Sequence, residues 1–165
     1  MQTYKTLSDV IALAEFAHRN QTDKAGLPYI EHPRRVMQAV QAQGAFPYVQ
    51  MAAMLHDVTE DTAFTPPMLL ELGVPEAAVN LVKLLDRDYS ATSYNIEFWG
   101  QARDEEGAQE YYYKAIARVP EAKMIKLADI HDNTQLWRLS YLPVATQARL
   151  GFKYAEAIRM LNTNF

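Results

Sequence analysis

The segment MAAMLHDVTEDT, residues 51–62, begins as an apolar helical pattern and then carries four ionisable side chains: His56, Asp57, Glu60 and Asp61. Residues four apart share one face of a helix, so we expect His56 beneath Glu60 and Asp57 beneath Asp61. His56 and Asp57 offer one nitrogen and one oxygen ligand, a mixture that suits Mn²⁺, Fe²⁺ or Zn²⁺ and favours Mn²⁺ as carboxylates accumulate. Glu60 and Asp61 are then placed to orient an attacking water or to take its proton. The spacing predicts metal-assisted hydrolysis.

Two ligands make a weak site, and two further residues elsewhere in the chain are suited to complete it. His32 closes a loop that contains Gly26, Pro28 and Pro33, just before a helical pattern. Asp129 lies in KMIKLADIHDN, where an acid among apolar residues is unfavourable unless a cation neutralises it. We therefore predict a metal cluster of four ligands: His32, His56, Asp57 and Asp129.

Each of these residues also has an ordinary structural interpretation. A single His or Asp on a helix is more often a surface group, Asp129 could be a buried hydrogen-bonded acid, and Glu60 with Asp61 could be a solvated helix end. His18 and His131 keep the structural interpretation and are not predicted as ligands. The prediction depends on the combination of residues.

Composition excludes several classes of protein. The 165 residues contain no cysteine, which excludes disulfides, a thiol nucleophile and a thiolate metal site. The formal net charge of −4 argues against binding to a nucleic-acid polymer, and no apolar stretch reaches membrane-spanning length. The N-terminus lacks the pattern of a signal peptide, so we expect a cytoplasmic protein. The length of 165 residues fits one domain, and we expect a single domain over residues 1–165.

Helical periodicity dominates the chain, and no alternating β-branched run competes with it. We expect Ser8 to cap the first helix and Gly73 to close a short helix in DTAFTPPMLLELG. The other predicted helices are SDVIALAEFAHRN, RRVMQAVQAQ, PYVQMAAMLHDVTE, PEAAVNLVKLLDRD, residues 94–118 with a break near Gly107, PEAKMIKLADIHDNTQLWRL, and PVATQARLGFKYAEAIRML. The pattern predicts one compact all-α domain with the metal site between helices.

At these residues the chain resembles the HD-domain superfamily, whose signature H…HD…D corresponds here to His32, His56–Asp57 and Asp129. Three segments resemble, in order, blocks of the hydrolase domain of the RelA/SpoT family and of its small stand-alone alarmone hydrolases. They are AHRNQTDKAGLPYIEHPRRVM, AAMLHDVTEDTAFT and KMIKLADIHDN, and the resemblance extends over most of residues 10–140.

The resemblance implies an all-α enzyme that holds one Mn²⁺ through two His and two Asp residues. It implies hydrolysis of a small phosphorylated nucleotide, with removal of the 3′-pyrophosphate from ppGpp or pppGpp. Glu60 and Asp61 match the acidic pair credited with activating water, Asn133 matches a residue near the nucleotide sugar, and Lys24 matches a cation of the nucleotide pocket.

Other positions leave the substrate and its contacts open. Asp23 stands where the alarmone hydrolases usually carry Arg, which motivates an alternative nucleotide or nucleotide-derived cofactor as substrate. Arg19 and Lys126 are candidate phosphate clamps, although surface roles suit them equally, and Tyr154 is a candidate for a tyrosine that borders the nucleotide.

A metal-containing ligand-sensing module without turnover is a further alternative, and a homo-oligomer is left open. The tyrosines at 111–113 could form a base-stacking surface, but such helix residues are more often core or dimer contacts.

Overall fold

Helices account for most of the computed structural model, which describes residues 5–87, 89 and 105–163. In chain order these helices are α1 (Leu7–Ala17), α2 (Glu31–Ala42), α3 (Pro47–Leu55), α4 (Val58–Asp61), α5 (Pro66–Glu71), α6 (Glu76–Leu85), α7 (Glu105–Ala117), α8 (Pro120–Asn133), α9 (Leu136–Leu139) and α10 (Val144–Asn162). Within the described ranges, β-type pairing is confined to one isolated bridge between Thr22 and Pro28. The all-α prediction is confirmed. The part of the predicted 94–118 helices before residue 105 lies outside the described residues.

The first helix begins earlier than the sequence pattern predicted. Thr6, and not Ser8, is the N-cap: its hydroxyl oxygen accepts the backbone N–H of Asp9 at 3.2 Å, and the Asp9 carboxylate accepts the Thr6 N–H at 2.8 Å. This reciprocal capping box satisfies two backbone donors at once, whereas a cap at Ser8 would forgo it.

The core lies around α3 and α8. Every residue of α3 from Val49 to Leu55 is buried, and the helix packs against α1, α2, α6 and α8. The α8 helix buries Ile125, Ala128 and Ile130 and also contacts α7 and α10. Tyr112 and Tyr113 are buried in this core, so they do not form the exposed stacking surface considered for the tyrosine run.

The predicted continuous helix through residues 47–60 is wrong, because the chain breaks at its most polar point. The α3 helix ends at Leu55, and Asp57 has φ −102° and ψ −5° before α4 begins at Val58. Successive residues of a straight helix point about 100° apart. The turn at His56 and Asp57 removes that constraint and allows both side chains to approach one point.

Two hydrogen bonds hold the short helix α4 in place after the break. Asp61 N–H donates to the carbonyl oxygen of Asp57 at 2.9 Å, which closes the short helix α4. Thr59 Oγ1 donates to Asp86 Oδ2 at 2.6 Å and so ties α4 to the end of α6. A second predicted helix, residues 120–139, is also interrupted: α8 ends at Asn133, and α9 resumes at Leu136. No helix among the described residues is long and apolar enough to cross a bilayer.

Candidate metal centre

Three parts of the fold bring the four predicted ligands together. His32 lies within the first turn of α2, not in the loop before it, His56 and Asp57 form the turn after α3, and Asp129 lies near the C-terminal end of α8. His32 Nε2 is 3.2 Å from Asp129 Oδ1 and 3.6 Å from Asp57 Oδ2. His56 Nε2 is 3.1 Å from Asp57 Oδ2 and 3.9 Å from Asp129 Oδ1. Ligand atoms of His32, His56 and Asp57 all lie within 4.8 Å of one another.

The hydrogen bonds of the two imidazoles leave a lone pair on each Nε2. His56 Nδ1–H donates to the Ala53 carbonyl oxygen at 2.8 Å, and His32 Nδ1–H donates to Asp132 Oδ2 at 2.7 Å. Each Nε2 is then an acceptor directed at carboxylate oxygens. His56 Nε2 is buried without a hydrogen-bond partner among the described residues. Two lone pairs facing two carboxylates require positive charge between them, so the donor set fits a divalent cation.

The pKa values of the histidine and aspartate side chains in the cluster also show that the cluster favours positive charge. Burial alone would lower the pKa of His56, but the carboxylates of Asp57 and Asp129 outweigh burial and raise it to about 9. Burial would raise the pKa of Asp57, yet His56 and His32 hold it below its usual range. The pKa of Asp129 is likewise held well below its usual range, first of all by Lys126. A cation at the cluster would supply the positive charge that protonated imidazoles otherwise supply to the two acids.

Further hydrogen bonds hold the carboxylate groups of the two acids. The Tyr29 hydroxyl donates to Asp57 Oδ2 at 2.6 Å. Asn133 Nδ2 donates to Asp129 Oδ1 at 2.6 Å, and Lys126 Nζ donates to Asp129 Oδ2 at 2.7 Å. The side chain of Lys126 is only 15% exposed. Its ammonium therefore already has a carboxylate partner, and this geometry does not favour the predicted role as a phosphate clamp.

Glu60 and Asp61 belong to α4, directly after the turn that carries two of the predicted ligands. Partial desolvation and the negative charge of Asp57 raise the pKa of both carboxyl groups. The backbone of Asp61 is fixed by Gln21, whose Nε2 donates to the Asp61 carbonyl oxygen at 2.7 Å. Gln21 Oε1 in turn accepts from His18 Nδ1 at 2.6 Å. Two acids with raised pKa values beside a cation site can exchange protons with a water molecule.

A cavity of about 330 Å³ lies in contact with the residues that surround the ligands. Three predicted substrate residues, Lys24, Asn133 and Tyr154, line it, whereas Arg19 does not. The exposed Arg19 instead donates from Nη1 to the Phe16 carbonyl oxygen at 2.7 Å. The other lining residues are Thr22, Asp23, Ala25, Tyr29, Arg138, Leu139, Leu142 and Leu150.

The sequence reasoning missed three charged residues behind His32. Asp132 accepts from His32, from both Nε (2.6 Å) and Nη2 (3.1 Å) of Arg35, and from Arg138. The spacing of Asp132, three residues after Asp129 on one helix, was a usable signal for a shared face. Arg35 and Arg138 come from other helices, and no local spacing connects them to Asp132.

Comparison with known proteins shows similarity to long bacterial nucleotide enzymes. The chain is 32% identical over 149 residues to a probable GTP pyrophosphokinase of Mycobacterium leprae, covering 90% of this chain and 18% of that protein. It is 32% identical over 138 residues to the GTP pyrophosphokinase of Streptomyces coelicolor, covering 82% of this chain and 15% of that protein. It is 42% identical over 72 residues to the bifunctional (p)ppGpp synthase/hydrolase SpoT of Escherichia coli, covering 39% of this chain and 10% of that protein. The chain thus spans less than a fifth of the length of these relatives.

A solved structure matches nearly the whole chain. It is described as a metazoan ortholog of SpoT that hydrolyses ppGpp, and it aligns with a TM-score of 0.72 and 26% identity over 97% of this chain and 88% of that chain. No family model matches the chain. The all-α fold, the H…HD…D residues gathered at one point and these similarities lead to one assignment. The chain is similar, in sequence and in fold, to the RelA/SpoT-type hydrolases of the HD superfamily.

Proposed function

We propose that this chain is a metal-dependent hydrolase of a phosphorylated nucleotide and that its substrate is ppGpp or pppGpp. The observation that carries the proposal is the buried, unpartnered Nε2 of His56, which faces Asp57 beside a second imidazole and a second acid. Such a donor set needs a cation. A cavity and two acids with raised pKa values adjoin it, and these are the parts that hydrolysis needs.

The proposed cofactor is one Mn²⁺ per chain, held by His32, His56, Asp57 and Asp129. Two nitrogen and two oxygen ligands suit a borderline ion, and the pair of carboxylates favours manganese over softer metals. When bound, the ion supplies Lewis-acid activation of water and of a phosphate oxygen. Tyr29 supports the set by donating its hydroxyl hydrogen to Asp57 and so fixing the orientation of that carboxylate.

Side chains of the protein activate the water and bind the substrate. Glu60 aligns the attacking water, and Asp61 takes its proton at a carboxylate oxygen. Their raised pKa values bring both groups nearer to neutral pH, which suits a general base. Lys24 at the exposed edge of the cavity neutralises substrate phosphate, and Asn133 contacts the sugar. Leu139, Leu142 and Tyr154 provide apolar and aromatic surface against which a base can lie.

The choice of ppGpp comes from the relatives. One relative in Haemophilus influenzae is named guanosine-3′,5′-bis(diphosphate) 3′-pyrophosphohydrolase, and the metazoan neighbour is described as hydrolysing ppGpp. Carried to this chain, the proposed reaction adds water across the bond between the ribose 3′ oxygen and its diphosphate. It yields GDP and pyrophosphate from ppGpp.

One observation favours a second candidate, a different phosphorylated nucleotide. Asp23 faces Arg138 at the cavity wall, with Oδ2 3.6 Å from Nη2, so this part of the wall is close to neutral. A substrate that presents an uncharged base or sugar edge there would suit the wall better than one that presents a phosphate.

A nucleotide panel tests the proposal directly. Purified protein loaded with Mn²⁺ is incubated with ppGpp, pppGpp, NADPH and the common nucleoside triphosphates, and the products are identified by chromatography and mass spectrometry. We expect GDP and pyrophosphate from ppGpp. Turnover of another nucleotide alone would replace the substrate but keep the hydrolase, and no turnover of any nucleotide would contradict the proposed function. The cytoplasmic location and the homo-oligomer stay predictions.

A further inference from the structure

Arg138 connects the cavity wall to the metal centre. It belongs to the short helix α9, lines the cavity, and has a side chain that is only 13% exposed. Nη1 donates to Asp132 Oδ2 and lies 3.1 Å from His32 Nδ1, while Nη2 lies 3.6 Å from Asp23 Oδ2. One guanidinium therefore contacts an acid of the cavity loop and the acid behind a predicted metal ligand.

Asp132 links Arg138 to His32, because its carboxylate accepts hydrogen bonds from both side chains. Its carboxylate accepts His32 Nδ1–H at 2.7 Å, which fixes the tautomer and directs Nε2 toward Asp57 and Asp129. Arg35 holds the same carboxylate through Nε and Nη2. Partners of this kind orient a ligating imidazole and raise its basicity, and their loss weakens metal binding.

Asp23 has a structural role that its sequence position did not reveal. Oδ1 accepts the backbone N–H of Ala25 at 2.9 Å and that of Leu27 at 3.0 Å, and the side chain is 7% exposed. The side chain of Asp23 is therefore directed into the loop and toward Arg138 rather than toward solvent. Asp23 fixes the cavity loop and places its second oxygen opposite Arg138.

We propose that Arg138 is a positioning residue that holds the Asp132–His32 pair for metal binding and that Asp23 neutralises the side of its guanidinium that faces the cavity. The claim about metal binding is independent of the substrate. The claim about the cavity rests on the proposed function, because it assumes that a nucleotide occupies the cavity.

Three substitutions separate these roles. Arg138→Gln removes the charge and both ion pairs. Arg138→Lys keeps a cation that can reach Asp132 but lacks the planar fork that contacts two acids at once. Asp23→Asn keeps an oxygen acceptor for the amides of Ala25 and Leu27 and removes only the charge opposite Arg138. Arg118→Gln, at an exposed arginine of the α7–α8 connection, is the matched control.

The first measurement is the dissociation constant of Mn²⁺ alone, by competition with a chelator and without nucleotide. We expect Arg138→Gln to weaken Mn²⁺ binding about 10-fold or more, Arg138→Lys to weaken it less, and Asp23→Asn and Arg118→Gln to stay close to the parent. Circular dichroism at the working temperature establishes that each variant is folded. Parent affinity in a folded Arg138→Gln variant would overturn the positioning role, whether or not the protein hydrolyses ppGpp.

The second measurement is kcat and KM on the best nucleotide of the panel. Arg138→Gln should lower kcat at saturating Mn²⁺, because His32 loses its fixed orientation. Asp23→Asn should lower KM several-fold, because it leaves Arg138 as an unbalanced cation at the cavity wall. A KM for Asp23→Asn equal to that of the parent would refute the cavity half of the proposal, while the metal-affinity result would still decide the other half.

Discussion

His56 is the residue whose surroundings make least sense without a cation. Its Nδ1–H is committed to a backbone carbonyl, and its Nε2 lone pair faces the carboxylate of Asp57 at 3.1 Å. Unpaired polar atoms at this depth cost free energy unless they bind something. The residue is therefore the first place to test the proposed ligand set.

We predict that the parent protein binds about one Mn²⁺ per chain and that His56→Ala and His56→Gln lose most of it, because the remaining ligands cannot complete the site. Elemental analysis after gel filtration measures the metal content. His131→Ala is the control, since His131 is exposed and its Nε2 lies beside Gln135. Full metal content in both His56 variants would remove His56 from the ligand set.

Glu60→Gln and Asp61→Asn should keep the metal and lose most turnover. Each change preserves shape and removes a carboxylate that aligns the attacking water or takes its proton, and the loss of such a group typically costs about 100-fold or more in kcat. The measurements are metal content and kcat on the best nucleotide, with Glu71→Gln on α5 as an exposed control. Parent-like turnover in both variants would show that these acids are only a solvated helix end.

At the residue scale, the sequence indicated the four residues that meet at one point but not the residues that support them. His32, His56, Asp57 and Asp129 are recognisable because each is a metal-ligand type in an unusual setting, such as an acid within an apolar helix. Arg35, Asp132 and Arg138 are ordinary surface types, and their roles arise only when α2, α8 and α9 meet. That meeting is a long-range packing event that no local spacing encodes.

The element that matters most for the chemistry is α4, a single helical turn that carries both proposed proton-handling acids. A helix this short has little stability of its own, so its position depends on contacts from outside. Those contacts include the Thr59–Asp86 hydrogen bond and the hydrogen bond from the Gln21 side chain to the carbonyl oxygen of Asp61. The pattern of apolar residues predicted one continuous helix here, because the spacing of apolar residues carries no information about a break that tertiary contacts stabilise.

We predict that Gln21→Ala lowers kcat roughly 10-fold while metal content is unchanged, because α4 loses the hydrogen bond that fixes Asp61. The free energy of unfolding should fall by about 1 kcal/mol, the usual value of one hydrogen bond. Chemical denaturation and steady-state kinetics measure the two effects. The control is Gln43→Ala, whose amide donates to Ala39 within its own helix end. Equal kcat values for the two variants would show that Gln21 does not position Asp61.

At the scale of the whole molecule, the proposed metal centre lies where α2, α3 and α8 meet, so metal binding there would be coupled to folding. A ligand that binds only the folded state stabilises it by about 2.7 kcal/mol at roughly 100 times its Kd. We therefore predict that saturating Mn²⁺ raises Tm by roughly 5–10 °C for a chain of this size. Differential scanning fluorimetry with and without chelator measures the change, with His56→Ala as a control that should not respond. A Tm independent of Mn²⁺ in the parent would contradict a site between these helices.

The separation of the ligands along the chain has a kinetic consequence. The cluster closes one loop from His32 to His56 and a much longer one from Asp57 to Asp129, so an ion bound there acts as a cross-link between distant segments. Closing the longer loop costs conformational entropy, and this cost must be met before all four ligands meet. The complete site therefore forms late in folding. Interactions that form after the transition state slow unfolding and leave the folding rate nearly unchanged. The bound ion would then mainly lower the rate of unfolding. It would lengthen the lifetime of the native state without speeding its formation.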